Sequence, residues 1–108
     1  MNIASLLTKD RILCGAESSS KKKLLETLAG MLARDLPEDL DVSTVFESLL
    51  HRERLGSTGI GHGVAIPHGR LPGATQAIGA LITLSEGIDY DAPDQQPVDL
   101  LFALIVPE

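Results

Sequence analysis

The chain closes on Leu100-Leu101-Phe102-Ala103-Leu104-Ile105-Val106-Pro107, a run with no polar residue in it. Successive side chains of a strand point to opposite faces, so an uninterrupted apolar strand has to be covered on both sides. A one-sided sheet, which would show alternating polar and apolar residues, is excluded for this segment. The run therefore predicts an α/β domain in which a sheet is flanked by helices on both faces. Because Glu108 is the last residue, a covering helix is expected to be missing. The domain is accordingly expected to be truncated at its C-terminus, with an apolar surface along Leu100–Val106 that favours association.

The rest of the pattern supplies the layers. Leu24, Leu25, Leu28 and Leu32 recur at helical spacing between Ser18 and Arg34, with Ser18, Ser19 or Ser20 available as the N-cap. Lys21-Lys22-Lys23 in the first turn oppose the helix dipole and read as a solvated face, or as a contact for an acidic or phosphorylated partner. After the turn at Leu36-Pro37, Asp41 or Ser43 caps a second helix with Val42, Val45, Phe46, Leu49 and Leu50 on its apolar face. His51, Arg52 and Arg54 suit its C-terminal end, and Gly56 stops it. Strands are expected over Arg11–Cys14, Ala77–Leu84 and Val98–Val106, with a short helical turn at Ile3–Leu7. Loops are expected at Gly56–Gly63, Gly69–Gly73 and Asp89–Pro97.

Composition narrows the functions open to one 108-residue domain. Nine Lys and Arg stand against fifteen Asp and Glu, for a net charge of −6. Nucleic acid is a poor partner for such a chain, because phosphate backbones are held by dense basic patches and stacked on aromatics. Only Phe46, Tyr90 and Phe102 are aromatic. No apolar run reaches the ~18 residues of a membrane span, and the N-terminus lacks an export signal. A single cysteine, Cys14, forms no internal disulfide and fits a reducing, cytoplasmic setting.

Chemistry concentrates in Gly56–Arg70. Four glycines in Gly56-Ser57-Thr58-Gly59-Ile60-Gly61-His62-Gly63 let backbone N–H groups approach an anion. The nucleotide-binding P-loop is excluded, since Gly63 is followed by Val64-Ala65 rather than Lys and Ser or Thr. The dinucleotide fingerprint is excluded too, because these glycines follow a helix and precede a strand. His68 emerges after Val64-Ala65-Ile66-Pro67, at a strand end of the kind where α/β sheets bind ligands. His51, His62 and His68 lack metal-ligand spacing, so no metal and no cofactor is expected. A neutral imidazole, with an ordinary pKa of about 6.5, is a nucleophile at neutral pH. Beside it, Arg52 and the loop residues Gly56, Ser57, Thr58, Gly59 and Gly61 form a candidate phosphate-binding set for phosphoryl transfer, which needs mainly positioning and charge stabilisation.

Glu53-Arg54-Leu55-Gly56-Ser57-Thr58-Gly59-Ile60-Gly61-His62-Gly63-Val64-Ala65-Ile66-Pro67-His68-Gly69-Arg70 resembles the active-site signature of the fructose/mannitol-type IIA components of the bacterial phosphoenolpyruvate-dependent phosphotransferase system. Gln96-Pro97-Val98-Asp99 with the strand after it, and the helix start Ser20-Lys21-Lys22, are similar to further family segments. The resemblance covers nearly the whole chain, and within the family points to its nitrogen-linked regulatory branch. It implies a mixed sheet between helices, and His68 as the histidine phosphorylated by an HPr-like phosphocarrier. It also implies that Arg52 stabilises the phosphate, and that downstream regulatory target proteins in nitrogen, carbon and potassium metabolism are bound. His62 stands where relatives carry Asn or an acidic residue, and is left as a loop residue. The family continues into a helix with a second active-site histidine, which this chain lacks. Two alternatives stay open: a sugar-specific component that hands phosphate to a permease, and a non-catalytic interaction module switched by phosphate.

Overall fold

The structure, a computed structural model, describes residues 2–108. Short 3-10 turns at Ile3–Leu6 and Lys9–Arg11 lead into β1 (Ile12–Ala16), α1 (Lys21–Ala33) and α2 (Val42–Leu55). Then come β2 (Gly59–Gly61), β3 (Val64–Ala65), β4 (His68–Leu71), β5 (Ile78–Ile88) and β6 (Val98–Pro107). Both helix starts fall at residues read from the sequence. The Ser20 side chain accepts from the Lys23 N–H, and Asp41 accepts from Thr44 N–H. Each cap satisfies a backbone donor that the first helical turn leaves free, a contribution of about 1 kcal/mol.

The six strands form one mixed sheet, five of them in the order β1-β5-β6-β3-β2 and β4 beside β6. β5 and β6 pair antiparallel, while β1 runs parallel to β5 and β3 parallel to β6. β4 pairs with the same edge of β6 further along, with His68 opposite Leu104. β3 and β4 are therefore two pieces of one strand line, interrupted at Ile66-Pro67. Proline has no N–H to give a sheet ladder, which accounts for the break. His68 is the first residue after it.

Ala80, Ile82 and Leu84 of β5 lie on the same sheet face as Leu101, Ala103 and Ile105 of β6, and these residues share a core with Leu25, Leu28 and Leu32 of α1 and Val45 and Leu49 of α2. Full burial of each such leucine or isoleucine contributes about 1.5–3 kcal/mol. The single mixed-sheet domain expected from the sequence is thus present, but its α-helices differ from expectation in placement. The link between α1 and α2 is short, so the two helices pack on each other and form one layer on one face, not a layer on each. Along the opposite face Leu81, Leu100, Leu104 and Val106 are half-buried and Phe102 is buried, so no residue of Leu100–Val106 is fully exposed.

Three further differences concern strands. Gly69–Leu71, expected to begin a loop, continues strand β4 from His68. β5 runs past the expected end at Leu84 to Ile88, through an irregularity in its pairing with β6. The glycine-rich stretch expected to be a loop carries the β2–β3 hairpin, closed by His62 and Gly63 at φ 58° and 81°. Two successive positive φ values make the tight turn whose twist matches paired strands. His62 tolerates this as Asn does, and its N–H donates to Asp94 at 3.2 Å. Val42, placed on the apolar face of α2 by periodicity, is 48% exposed in the first helical turn.

Candidate functional site

A groove of about 520 Å³ runs between one face of α2 and strand β4. Thr44, Ser48, His51, Arg52 and Leu55 line it from the helix, at spacings that stack on one helical face. His68, Gly69, Arg70 and Leu71 line it from the strand. α2 approaches β4 this closely because residue 69 is glycine: a Cβ there would collide with the Ser48 hydroxyl. The space that Gly69 leaves is thus filled by α2.

His68 is half-buried, and its Nδ1 lies 2.8 Å from the Ile66 carbonyl oxygen. A carbonyl only accepts, so Nδ1 carries the proton and Nε2 keeps its lone pair. Arg52 stands at the C-terminal end of α2, where a cation is favoured by the helix dipole. Its Nη1 donates to the Gly56 carbonyl at 2.8 Å. The structure therefore brings His68 and Arg52 to one groove, as the sequence expected.

It does not bring the five loop residues there. None of Gly56, Ser57, Thr58, Gly59 and Gly61 lines the groove, and several donors of the first four are committed elsewhere. Gly56 N–H donates to the Glu53 carbonyl, and Gly59 N–H to Ser57 Oγ. The Ser57 hydroxyl donates to the Tyr90 carbonyl at 3.2 Å. Thr58 N–H donates to Glu53 Oε2 at 2.7 Å and its hydroxyl to Oε1. The expected phosphate cradle is corrected to a buttress. An N–H already bound to a carboxylate has nothing left for a phosphate.

The centre of that buttress escaped the sequence reading. Glu53 is buried, accepts from the Tyr90 hydroxyl at 2.9 Å, and forms an ion pair with Lys21 at 3.0 Å. Lys21 also donates to the Tyr90 carbonyl and sits 4.2 Å from the centre of the Tyr90 ring. It is consequently neither a solvated charge nor a free partner contact, unlike the exposed Lys22 and Lys23. Burial alone would raise the Glu53 pKa, but the Thr58 hydroxyl and N–H, Lys21 and Tyr90 together hold it below its ordinary value. Burial, reinforced by the neighbouring Glu53 charge, pushes the Tyr90 phenol up. The available signal was Glu53 itself, an acidic residue just before a glycine-rich run, whose partners lie too far along the chain to be read by spacing. Among the described residues, no three His, Cys, Asp or Glu side chains gather as a metal site.

The fold is also that of known proteins. Residues 5–108 match the family described as phosphoenolpyruvate-dependent sugar phosphotransferase system, EIIA 2, and the chain belongs to that family. It is 49% identical over 108 residues to a nitrogen regulatory protein of Pseudomonas aeruginosa, covering 100% of this chain and 70% of that one. Identity to the Escherichia coli nitrogen regulatory protein is 44%, covering 99% of this chain and 65% of the relative. The chain thus spans about two thirds of the length of these relatives. The crystal structure of nitrogen regulatory protein IIA-Ntr from Neisseria meningitidis superposes with a TM-score of 0.93 at 48% identity, covering 98% of this chain and 71% of that one. No helix among the described residues is long and apolar enough to cross a membrane.

Proposed function

We propose that this chain is a phosphoryl-accepting regulatory IIA protein, with His68 as the nucleophile. The observation that carries this reading is the Nδ1–H bond to the Ile66 carbonyl, which leaves the Nε2 lone pair as the reactive site on the rim of the groove. An HPr-like carrier presents a phosphohistidine. Nε2 attacks its phosphorus, the P–N bond to the donor ring breaks, and that ring leaves with the electron pair. The Nδ1 proton stays on His68, and the Ile66 carbonyl stabilises the positive charge that the phosphorylated ring gains. Arg52 keeps one donor on the Gly56 carbonyl and offers the rest of its guanidinium to the equatorial phosphoryl oxygens. No metal or nucleotide takes part in this scheme.

The nitrogen regulatory relatives at 44–49% identity support the regulatory branch over the sugar-transport branch. Under this reading, phosphorylation adds about −1.5 to −2 charge units to the groove and alters how regulatory target proteins in nitrogen, carbon and potassium metabolism are bound. A cytoplasmic location follows from that role. The test is labelling from a phosphorylated HPr-like carrier with the modified residue mapped: label on His68 in the wild type and none on His68→Ala is expected. Label retained by His68→Ala overturns the assignment, and onward transfer to a sugar-permease IIB domain at a physiological rate would favour the transport branch.

A further inference from the structure

We infer that Glu53 is a positioning residue for His68, acting through Thr58 and Ile66. The inference rests on the reading of His68 as the phosphoryl acceptor. The Glu53 carboxylate takes both Thr58 donors, its N–H at 2.7 Å and its hydroxyl. The Thr58 carbonyl in turn accepts the Ile66 N–H at 3.0 Å. The Ile66 carbonyl accepts the His68 Nδ1 proton at 2.8 Å. Four residues form an unbroken chain of hydrogen bonds from a buried charge to the nitrogen opposite the reactive one. The same carboxylate-bearing residue fixes the second groove residue, since Gly56 N–H donates to the Glu53 carbonyl while the Gly56 carbonyl holds Arg52.

The geometry makes this relay necessary. Ile66 lies at the break between β3 and β4, and Pro67 after it has no N–H to bond. The Thr58 carbonyl anchors the Ile66 N–H against the loop, and the Glu53 carboxylate, which takes both Thr58 donors, fixes Thr58 in turn. If the anchor relaxes, the Ile66 carbonyl turns away, the His68 proton redistributes between Nδ1 and Nε2, and the fraction of rings with a free Nε2 lone pair falls.

The experiment combines two readouts on the full chain. Nitrogen-15 NMR of labelled histidine reports the His68 tautomer without any donor, and single-turnover transfer from the phosphorylated carrier reports the rate. The wild type shows the Nδ1–H form alone. Glu53→Gln keeps the shape but offers one acceptor oxygen to two Thr58 donors and no charge to Lys21. It is expected to show both tautomers and transfer lowered about 10–100-fold, the range seen for groups that orient a metal-ligating histidine through its other ring nitrogen. Tyr90→Phe removes one bond to the carboxylate and one contact with the Thr58 hydroxyl, but leaves the Thr58 N–H and carbonyl bonds of the relay in place, and is expected to keep the wild-type tautomer. Thr58→Val, which cuts only the hydroxyl arm, carries the same signature at smaller amplitude and decides the matter if Glu53→Gln does not fold. A folded Glu53→Gln, or in its absence Thr58→Val, with a pure Nδ1–H signal and wild-type transfer overturns the inference. If the wild type itself takes no label on His68, the acceptor reading fails, while the tautomer comparison still decides the role of Glu53.

Discussion

The two sides of the segment from Arg52 to His68 use their polar groups in opposite ways. On the inner side, Glu53, Thr58, Tyr90 and Lys21 satisfy one another, and among the described residues no buried side-chain polar atom lacks a partner. On the groove side, Nε2 of His68 and most of the Arg52 guanidinium have no hydrogen-bond partner among the described residues. A saturated network confers rigidity, and an unsaturated one confers reactivity. The alternation is local: Arg52 and Glu53 are neighbours in sequence on one helix and serve the two sides separately.

The sharpest way to break the comparison is on the groove side. His68→Ala should lose labelling entirely while melting with the wild type. A large drop in melting temperature would show that His68 also serves the inner network. On the inner side, Glu53→Ala should cost about 3–5 kcal/mol in denaturant unfolding, because Lys21 and the Thr58 donors lose a buried partner. A loss under 1 kcal/mol would mean that the cluster is not a structural centre. Arg52→Ala comes next, with transfer slowed about 100-fold by loss of charge stabilisation and a melting curve close to native. Unchanged kinetics would remove Arg52 from the chemistry. Smaller again, Tyr90→Phe should cost about 1 kcal/mol and leave the transfer rate alone.

Acid offers a titration of the same contrast. The Glu53 pKa is depressed in the folded state relative to its ordinary value of 4.5. Its contribution to stability is therefore fully present above about pH 4.5 and is lost as the pH falls through the lower folded value. Melting temperatures of the wild type and Glu53→Gln should converge as the pH is lowered below that point. Parallel curves would mean that the carboxylate is not the charge the network depends on.

How much of this could be read in the sequence depends on whether the signal was local. Ser20 and Asp41 announce their helices within one turn, and the apolar run of β6 announces a buried strand, so those elements were legible. His68 and Arg52 were legible because a proline, a glycine and a helix end surround them. The β2–β3 hairpin was hidden, since Gly59 and Gly61 pair through the backbone and have no side chain to display periodicity. Placement of α1 and α2 in one layer was hidden too, because amphipathic patterns say that a face is covered and not which one. Lys21 was misread for a similar reason: its partners Glu53 and Tyr90 come from distant parts of the chain, and spacing rules cannot see them.

The Tyr90 carbonyl accepts from both Lys21 and Ser57, while the Tyr90 hydroxyl reaches Glu53. One residue of an acidic, proline-containing loop thereby ties down the start of α1 and the glycine-rich turn after α2. In hydrogen-exchange terms these three segments are expected to open as one cooperative unit. The Thr58 amide, although it sits in a stretch that looks flexible on paper, should exchange at the slow rate of the central strands, and not at that of a surface loop.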